Sequence, residues 1–268
     1  MSLSNTLSDI KPVVVASHPR SGTHLLIDLL RRQFSECNSW KWPLERLDRL
    51  YLNLDELKGT EHLVDEETAL HILTRTERPI VKTHAFPDFE IGFLETHEGD
   101  IASDWVEWVK NMGTILYMYR DGRDVVCSYQ LFRSSFDPDA RCDIGTFLRQ
   151  EDHGLNRVSR WAQHVRQWIR QPNVHPIKFE DVIKDTEDTL KNMENLLGLS
   201  AKMKKPLLPR PFHSIWESRA ARLFGIRPES TAIINGNNKD WQSVFTPEDE
   251  SFFEEHAGDL MSKIGYLQ

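Results

Sequence analysis

VVVASHPRSGTH, residues 13–24, reads as a buried strand turning sharply into a helix, with the turn built to hold an anion. The unbroken apolar run from Val13 to Ala16 suits a strand covered on both faces, since alternation is needed only where one face meets water. A helical period, Leu25, Leu26, Leu29, Leu30 and Phe34, resumes directly after Gly22. Between the two, the first backbone N–H groups of the helix lack intrahelical acceptors and lie at the positive end of its dipole. Ser21, Gly22 and Thr23 can therefore wrap an oxyanion while Arg20 adds a two-pronged guanidinium. The plain alternative is an ordinary strand-turn-helix with a surface arginine.

Working outward, 268 residues suffice for one large α/β domain, and no repeat, low-complexity tract or Gly/Ser linker marks a boundary. We read 1–268 as one domain, with 1–10 a disordered amino-terminal stretch and irregular segments over Trp40 to Leu73 and Lys202 to Ile234. Strands are expected at Pro12–Ser17, Pro79–Thr83, Thr114–Arg120 and Val174–Phe179. Helices are expected at Thr23–Phe34, Asp104–Asn111, Gly122–Arg133, Arg157–Arg170 and Thr186–Leu197, the last capped by Gly198. Short apolar strands separated by amphipathic helices imply a parallel sheet with helices on both faces, and in such sheets ligands sit at the carboxyl ends of the strands. The formal charge of −8 argues against nucleic acid as the main partner. No apolar run reaches spanning length, which argues against a membrane partner. Cys37, Cys127 and Cys142 show no CxxC spacing, so we expect reduced thiols, a cytoplasmic setting and no metal site.

Two further strand ends carry polar groups. Ile80-Val81 runs into Lys82-Thr83-His84, and an imidazole there can act as general base because its ordinary pKa is near neutrality. The strand ending at Tyr119 runs into Arg120-Asp121-Gly122-Arg123-Asp124, with Ser128 two turns into the next helix. Arg120 and Ser128 can converge on one anion. Alternatively, Arg120 and Arg123 pair with Asp124 and Asp121 as a solvated turn.

HPRSGTHL (18–25), KTHAF (82–86) and RDGRDVVCSYQLF (120–132) together resemble, in order and spacing, the loops of the sulfotransferase family that uses 3′-phosphoadenosine 5′-phosphosulfate (PAPS). WAQHVRQW (161–168), Phe179-Glu180-Asp181 and GNNKDW (236–241) followed by Phe245-Thr246 extend the resemblance across most of the chain. It implies a three-layer α/β sandwich with a central parallel sheet, like that of the P-loop nucleotide-triphosphate hydrolases. It also implies sulfuryl transfer from PAPS, leaving adenosine 3′,5′-bisphosphate (PAP), to a hydroxyl or amine of a small-molecule acceptor, with no metal required. Arg20, Ser21, Gly22, Thr23 and His24 would hold the 5′-phosphosulfate, with Arg20 replacing the family's lysine beside the bridging oxygen and Lys82 adding charge. His84 would be the base, Arg120 and Ser128 would bind the 3′-phosphate, and Phe179 and Gly236 would complete the nucleotide site. Four departures stand out: His24 replaces a threonine, Leu25 an adenine-stacking tryptophan, Phe179 a tyrosine, and Ile234-Asn235 an Arg-Lys pair. Lys239 or Arg227 is expected to supply the charge lost at the last. The family's dimer motif is poorly matched, which leaves the oligomeric state open.

Phe86, Phe89 and Phe132 are candidates to line the acceptor cavity, against a plain core reading. Trp105 and Trp108 stand at helical spacing beside Asp104 and Glu107. Were that face to border the cavity it would suit a cationic acceptor, but an amphipathic helix with a solvated acidic edge is the simpler reading. Two other classes remain: a P-loop kinase, although Thr23 stands where GxxxxGK(S/T) would have its lysine, and a catalytically silent nucleotide-binding module.

Overall fold

Val13–Ser17 forms strand β1, and its side chains divide between two cores. Val14 and Ala16 join one apolar cluster, Val13 and Val15 the other. The same split recurs along β6 (Thr114–Tyr119), where Ile115 and Tyr117 face one way and Leu116 and Met118 the other. A strand buried on both faces has no polar side to show, which is why these runs do not alternate. The structure, a computed structural model, describes residues 7–39, 50–57, 64–91, 99–202 and 240–267.

The remaining sheet strands are β2 (Leu52–Asn53), β3 (Ile80–Thr83) and β9 (Val174–Lys178), giving a parallel sheet of order β2-β3-β1-β6-β9. Two antiparallel strand pairs lie outside it, β4 (Glu90–Ile91) with β5 (Gly99–Asp100), and β7 (Glu151–Asp152) with β8 (Leu155–Asn156). Helices α1 (Thr23–Gln33), α7 (Phe179–Lys184) and α8 (Thr186–Leu197) cover one face, contributing Leu26, Leu30, Val182 and Met193 to its core. The other face carries α2 (Glu66–Leu73), α3 (Ser103–Met112), α4 (Gly122–Arg133), α5 (Ile144–Arg149), α6 (Arg157–Ile169) and α9 (Pro247–Lys263). The result is the three-layer α/β sandwich expected from the sequence.

The expected elements form within two residues of their anticipated ends, and Gly198 caps α8 in the left-handed region at φ 65°. Within Trp40 to Leu73 the expectation of irregular chain is corrected for the described residues, 50–57 and 64–73. Leu52–Asn53 adds an edge strand to β3, and Glu66–Leu73 is a helix whose cap, Asp65, accepts from the Thr68 N–H at 2.7 Å. Both are too short to impose a period on the sequence. Helix α9 was not anticipated either, although Thr246-Pro247 opens it with a full capping box to Asp249. Leu7, within the amino-terminal stretch, is buried in the core.

Strand order fixes where a ligand can sit. From β1 the chain passes to β2 and β3 on one side and then to β6 on the other, and such a reversal of strand order is where open parallel sheets place a ligand crevice, at the carboxyl end of β1. Register places Ala16 beside Thr83 and Ser17 beside Met118, bringing the three polar loops that follow to one edge of the sheet.

Candidate active site

The β1–α1 loop is held in a conformation that few residues adopt. Arg20 has φ 71° and Gly22 φ 104°, both in the left-handed region, and for arginine that backbone is strained. Gly22 also has no space for a side chain: a Cβ there would lie 2.5 Å from Phe179 Cδ2 and 3.0 Å from Met118 Cε. The loop thereby brings the first N–H groups of α1 to the crevice. Ser21 is buried, and its Oγ has no hydrogen-bond partner among the described residues. Thr23 Oγ1 lies 2.6 Å from Ser17 Oγ.

Arg20 and Arg120 lie close enough for one charge to act on the other. Arg20 Nε donates to Ser128 Oγ at 3.1 Å, and its guanidinium pKa is pulled down by burial and then by the charge of Arg120. Arg120 places its guanidinium 4.5 Å over the Phe179 ring and donates from Nη2 to Asp124 at 2.9 Å. Its Nε is buried without a partner among the described residues. Arg123 pairs with Asp121 at 2.6 Å, so the solvated-turn pairing forms in full while Arg120 still faces the crevice floor at Phe179. Two half-buried guanidinium groups, an orphaned donor nitrogen, an orphaned hydroxyl and a helix N-terminus suit a polyanion with two separated charges. The adenosine bisphosphate skeleton fits that description.

At the end of β3, Asp55 fixes the backbone. Its carboxylate accepts from Thr83 Oγ1 at 2.6 Å and from the His84 N–H at 2.8 Å, while burial pushes its pKa up. The His84 ring is set from the other side, Nδ1 lying 2.7 Å from the Ser17 carbonyl oxygen. Since a carbonyl only accepts, Nδ1 carries the proton and Nε2 is left as the basic nitrogen. Burial, and then the neighbouring Lys82 charge, hold the His84 pKa well below the ordinary imidazole value. His24, edge-on to Tyr51 at 5.9 Å, is likewise lowered to about 3 by burial, Lys82 and Arg20. Both rings are therefore neutral at neutral pH.

Helix α6 supplies supports that sequence reading noted as a motif but gave no role. His164 Nε2 donates to the carbonyls of His84 and Ala85, each at 3.1 Å, while its Nδ1 accepts from Tyr117 Oη at 2.9 Å. One turn on, Trp168 Nε1 donates to Ala85 O at 2.9 Å. The i, i+4 spacing of His164 and Trp168 was the available signal. At the start of α4, a Cβ on Gly122 would lie 2.5 Å from the Trp161 ring, so glycine lets α6 approach the Arg120 turn closely.

The aromatic candidates separate. Phe86 sits edge-on to His164 at 4.9 Å with Arg160 4.4 Å above its ring. Phe132 is 38% exposed, with the Arg20 guanidinium 5.2 Å from its ring. Phe89 is fully buried against Trp168, which makes it a core residue. Trp105 and Trp108 also face the core while Asp104 and Glu107 are exposed, as the simpler amphipathic-helix reading expects. Arg227, Gly236 and Lys239 lie outside the described residues.

The fold and this convergence of loops define an α/β protein with basic groups gathered at the carboxyl edge of its parallel sheet, and comparison with known proteins names its kind. Residues 106–265 match the sulfotransferase domain family. The chain belongs to that family. Rat sulfotransferase 1A1 is 24% identical over 166 residues, covering 57% of each chain, and 3-alpha-hydroxysteroid sulfotransferase from Cavia porcellus is 24% identical over 144 residues, half of its length. The chain thus spans little more than half the length of these relatives. A longer match, to bovine sulfotransferase 1A1, is 23% identical over 93% of this chain and 83% of the relative. Among solved structures, mouse sulfotransferase SULT7A1 complexed with PAP superposes at TM-score 0.55 with 18% identity, over 98% of this chain and 91% of its own. Retinol dehydratase, in complex with androsterone and inactive cofactor PAP, gives 0.53 with 18% identity over 93% and 80%. These likenesses establish the fold.

Proposed function

We propose that this protein transfers a sulfuryl group from PAPS to a hydroxyl or amine of a small-molecule acceptor. The carrying observation is that His84, neutral and tautomer-fixed, follows β3 while Arg20, bonded to Ser128 and near enough to Arg120 to feel its charge, follows the neighbouring β1. When bound, PAPS supplies an electrophilic sulfur and a phosphate leaving group. Ser21, Gly22, Thr23 and His24 then hold the 5′ end, and Arg120, Ser128 and Phe179 the 3′-phosphate and its surroundings. Arg20 lies between them, where it stabilises charge on the departing oxygen; guanidinium does not readily surrender a proton, so its contribution is electrostatic. Lys82 adds charge on the His84 side. His84 Nε2 takes the proton of the acceptor, and Ser17 O keeps Nδ1–H aimed as the ring becomes cationic. Phe86 and Phe132 border the acceptor.

No helix among the described residues is long and apolar enough to cross a membrane. We place the protein in the cytoplasm on its cysteine usage, three residues without CxxC spacing.

A thermal-shift panel followed by a transfer assay tests the reading. PAP without magnesium raises the melting temperature, and PAPS then sulfates some members of a phenol, alcohol, sugar and amine library. Stabilisation only by ATP with magnesium would make it a phosphotransferase. PAP binding without transfer to any acceptor would make it a binding module.

A further inference from the structure

The segment after α9 makes contacts that the reaction above does not use. Gly265 leaves the helix at φ 77°, and the Tyr266 N–H returns to Met261 O at 2.8 Å. Lys178 Nζ lies 4.2 Å over the Tyr266 ring and donates to Gly265 O at 3.2 Å, while Tyr119 meets that ring edge-on at 6.4 Å. The Tyr266 hydroxyl donates to Glu180, and its carbonyl accepts from Arg123 Nη2 at 3.4 Å. Each partner adjoins a group of the nucleotide cradle. Tyr119 precedes Arg120, Arg123 opens the helix bearing Ser128, and Lys178 and Glu180 flank Phe179.

Phe179 has the least freedom of these groups. One face lies under Arg120 and its edge abuts Gly22, at a separation that admits no added carbon. It starts α7, a helix of six residues, too short to be rigid through its own hydrogen bonds. We infer that Tyr266 is a positioning residue for the nucleotide. By binding Glu180 it fixes the first turn of α7 and so holds the Phe179 ring between Gly22 and Arg120. Burial and the adjacent Glu180 raise the Tyr266 pKa, so the hydroxyl remains a donor across the neutral range. This inference rests on the nucleotide reading of the site.

The test is calorimetric titration of PAP into wild type, Tyr266→Phe, Phe179→Leu and the double variant, with donor kinetics alongside. Tyr266→Phe, which keeps the ring and its Lys178 contact, should weaken PAP by about three- to tenfold. It should raise the KM for PAPS while leaving kcat at saturation within about twofold. In the Phe179→Leu background the same change should cost nothing further, because its route to the nucleotide is gone. Glu180→Gln, which retains an oxygen acceptor, should bind PAP better than Glu180→Ala. Unchanged PAP affinity in Tyr266→Phe with only a lowered melting temperature, or losses that add in the double variant, would overturn the inference. Failure of wild type to bind PAP would instead overturn the nucleotide reading, and the first titration alone would reveal it.

Discussion

At His84 one hydrogen bond decides which nitrogen serves the base role we propose. A ring whose Nδ1–H is committed to Ser17 O can only accept a proton at Nε2, and burial keeps that nitrogen unprotonated far below the usual imidazole range. His84→Ala should therefore lower kcat by about 10²–10⁴ while PAP affinity stays within about twofold, measured by initial rates and by calorimetry. Normal turnover in that variant would remove the base assignment. The depressed pKa has a definite sign: protonation disables the base, so the acid limb of kcat/KM should fall well below pH 6.5, with activity flat from there to neutrality. Arg120→Ala should act oppositely to His84→Ala, weakening PAP by roughly tenfold or more through loss of a charge-assisted contact. Sequence showed the histidine and both arginines. It could not show the tautomer, which depends on a carbonyl 67 positions away.

Among the elements, β3 matters for how firmly its end is held. Asp55 accepts two bonds there, and α6 adds three from His164 and Trp168 to the next two carbonyls. Asp55→Ala strands a buried hydroxyl and the His84 N–H, at about 1–3 kcal/mol each, and should lower both the melting temperature and kcat. Loss of stability with unchanged kcat would show that the clamp does not serve the base. Gly22→Ala should be worse than its size suggests, combining positive φ with a collision against Phe179, and should abolish PAP binding in a titration. Strands and helices with long apolar periods were legible because burial on both faces writes itself into the sequence at β1 and β6. The segment 52–73 was not, since a two-residue strand has no period and exists only by pairing with β3. Phe89 misled for a related reason: an aromatic residue carries no mark distinguishing a core wall from a cavity wall.

On the scale of the molecule, the interior holds histidines beyond those at the site. His18 and His164 lie in the interior, His18 lowered to about 3 and His164 well below its ordinary value, both chiefly by burial. Above about pH 6.5 they are neutral whether the chain is folded or not, and stability should be level. Below it the unfolded chain gains protons that the folded one refuses, so stability falls by up to ~1.4 kcal/mol per pH unit for each ring. From pH 6.5 to 5 His18 alone removes up to about 2 kcal/mol and His164 acts in the same direction, which urea midpoints across that range would register. A flat profile would mean the interior takes up those protons freely. The central claim is that the ends of β1, β3 and β6 converge on a single nucleotide next to His84. A crystal structure of the PAP complex tests it most directly. The account predicts the 5′-phosphate on the N–H groups of residues 21–23 with Arg20 against it, and the 3′-phosphate on Arg120 and Ser128; a nucleotide bound elsewhere, or one touching only one of the two arginines, would contradict it.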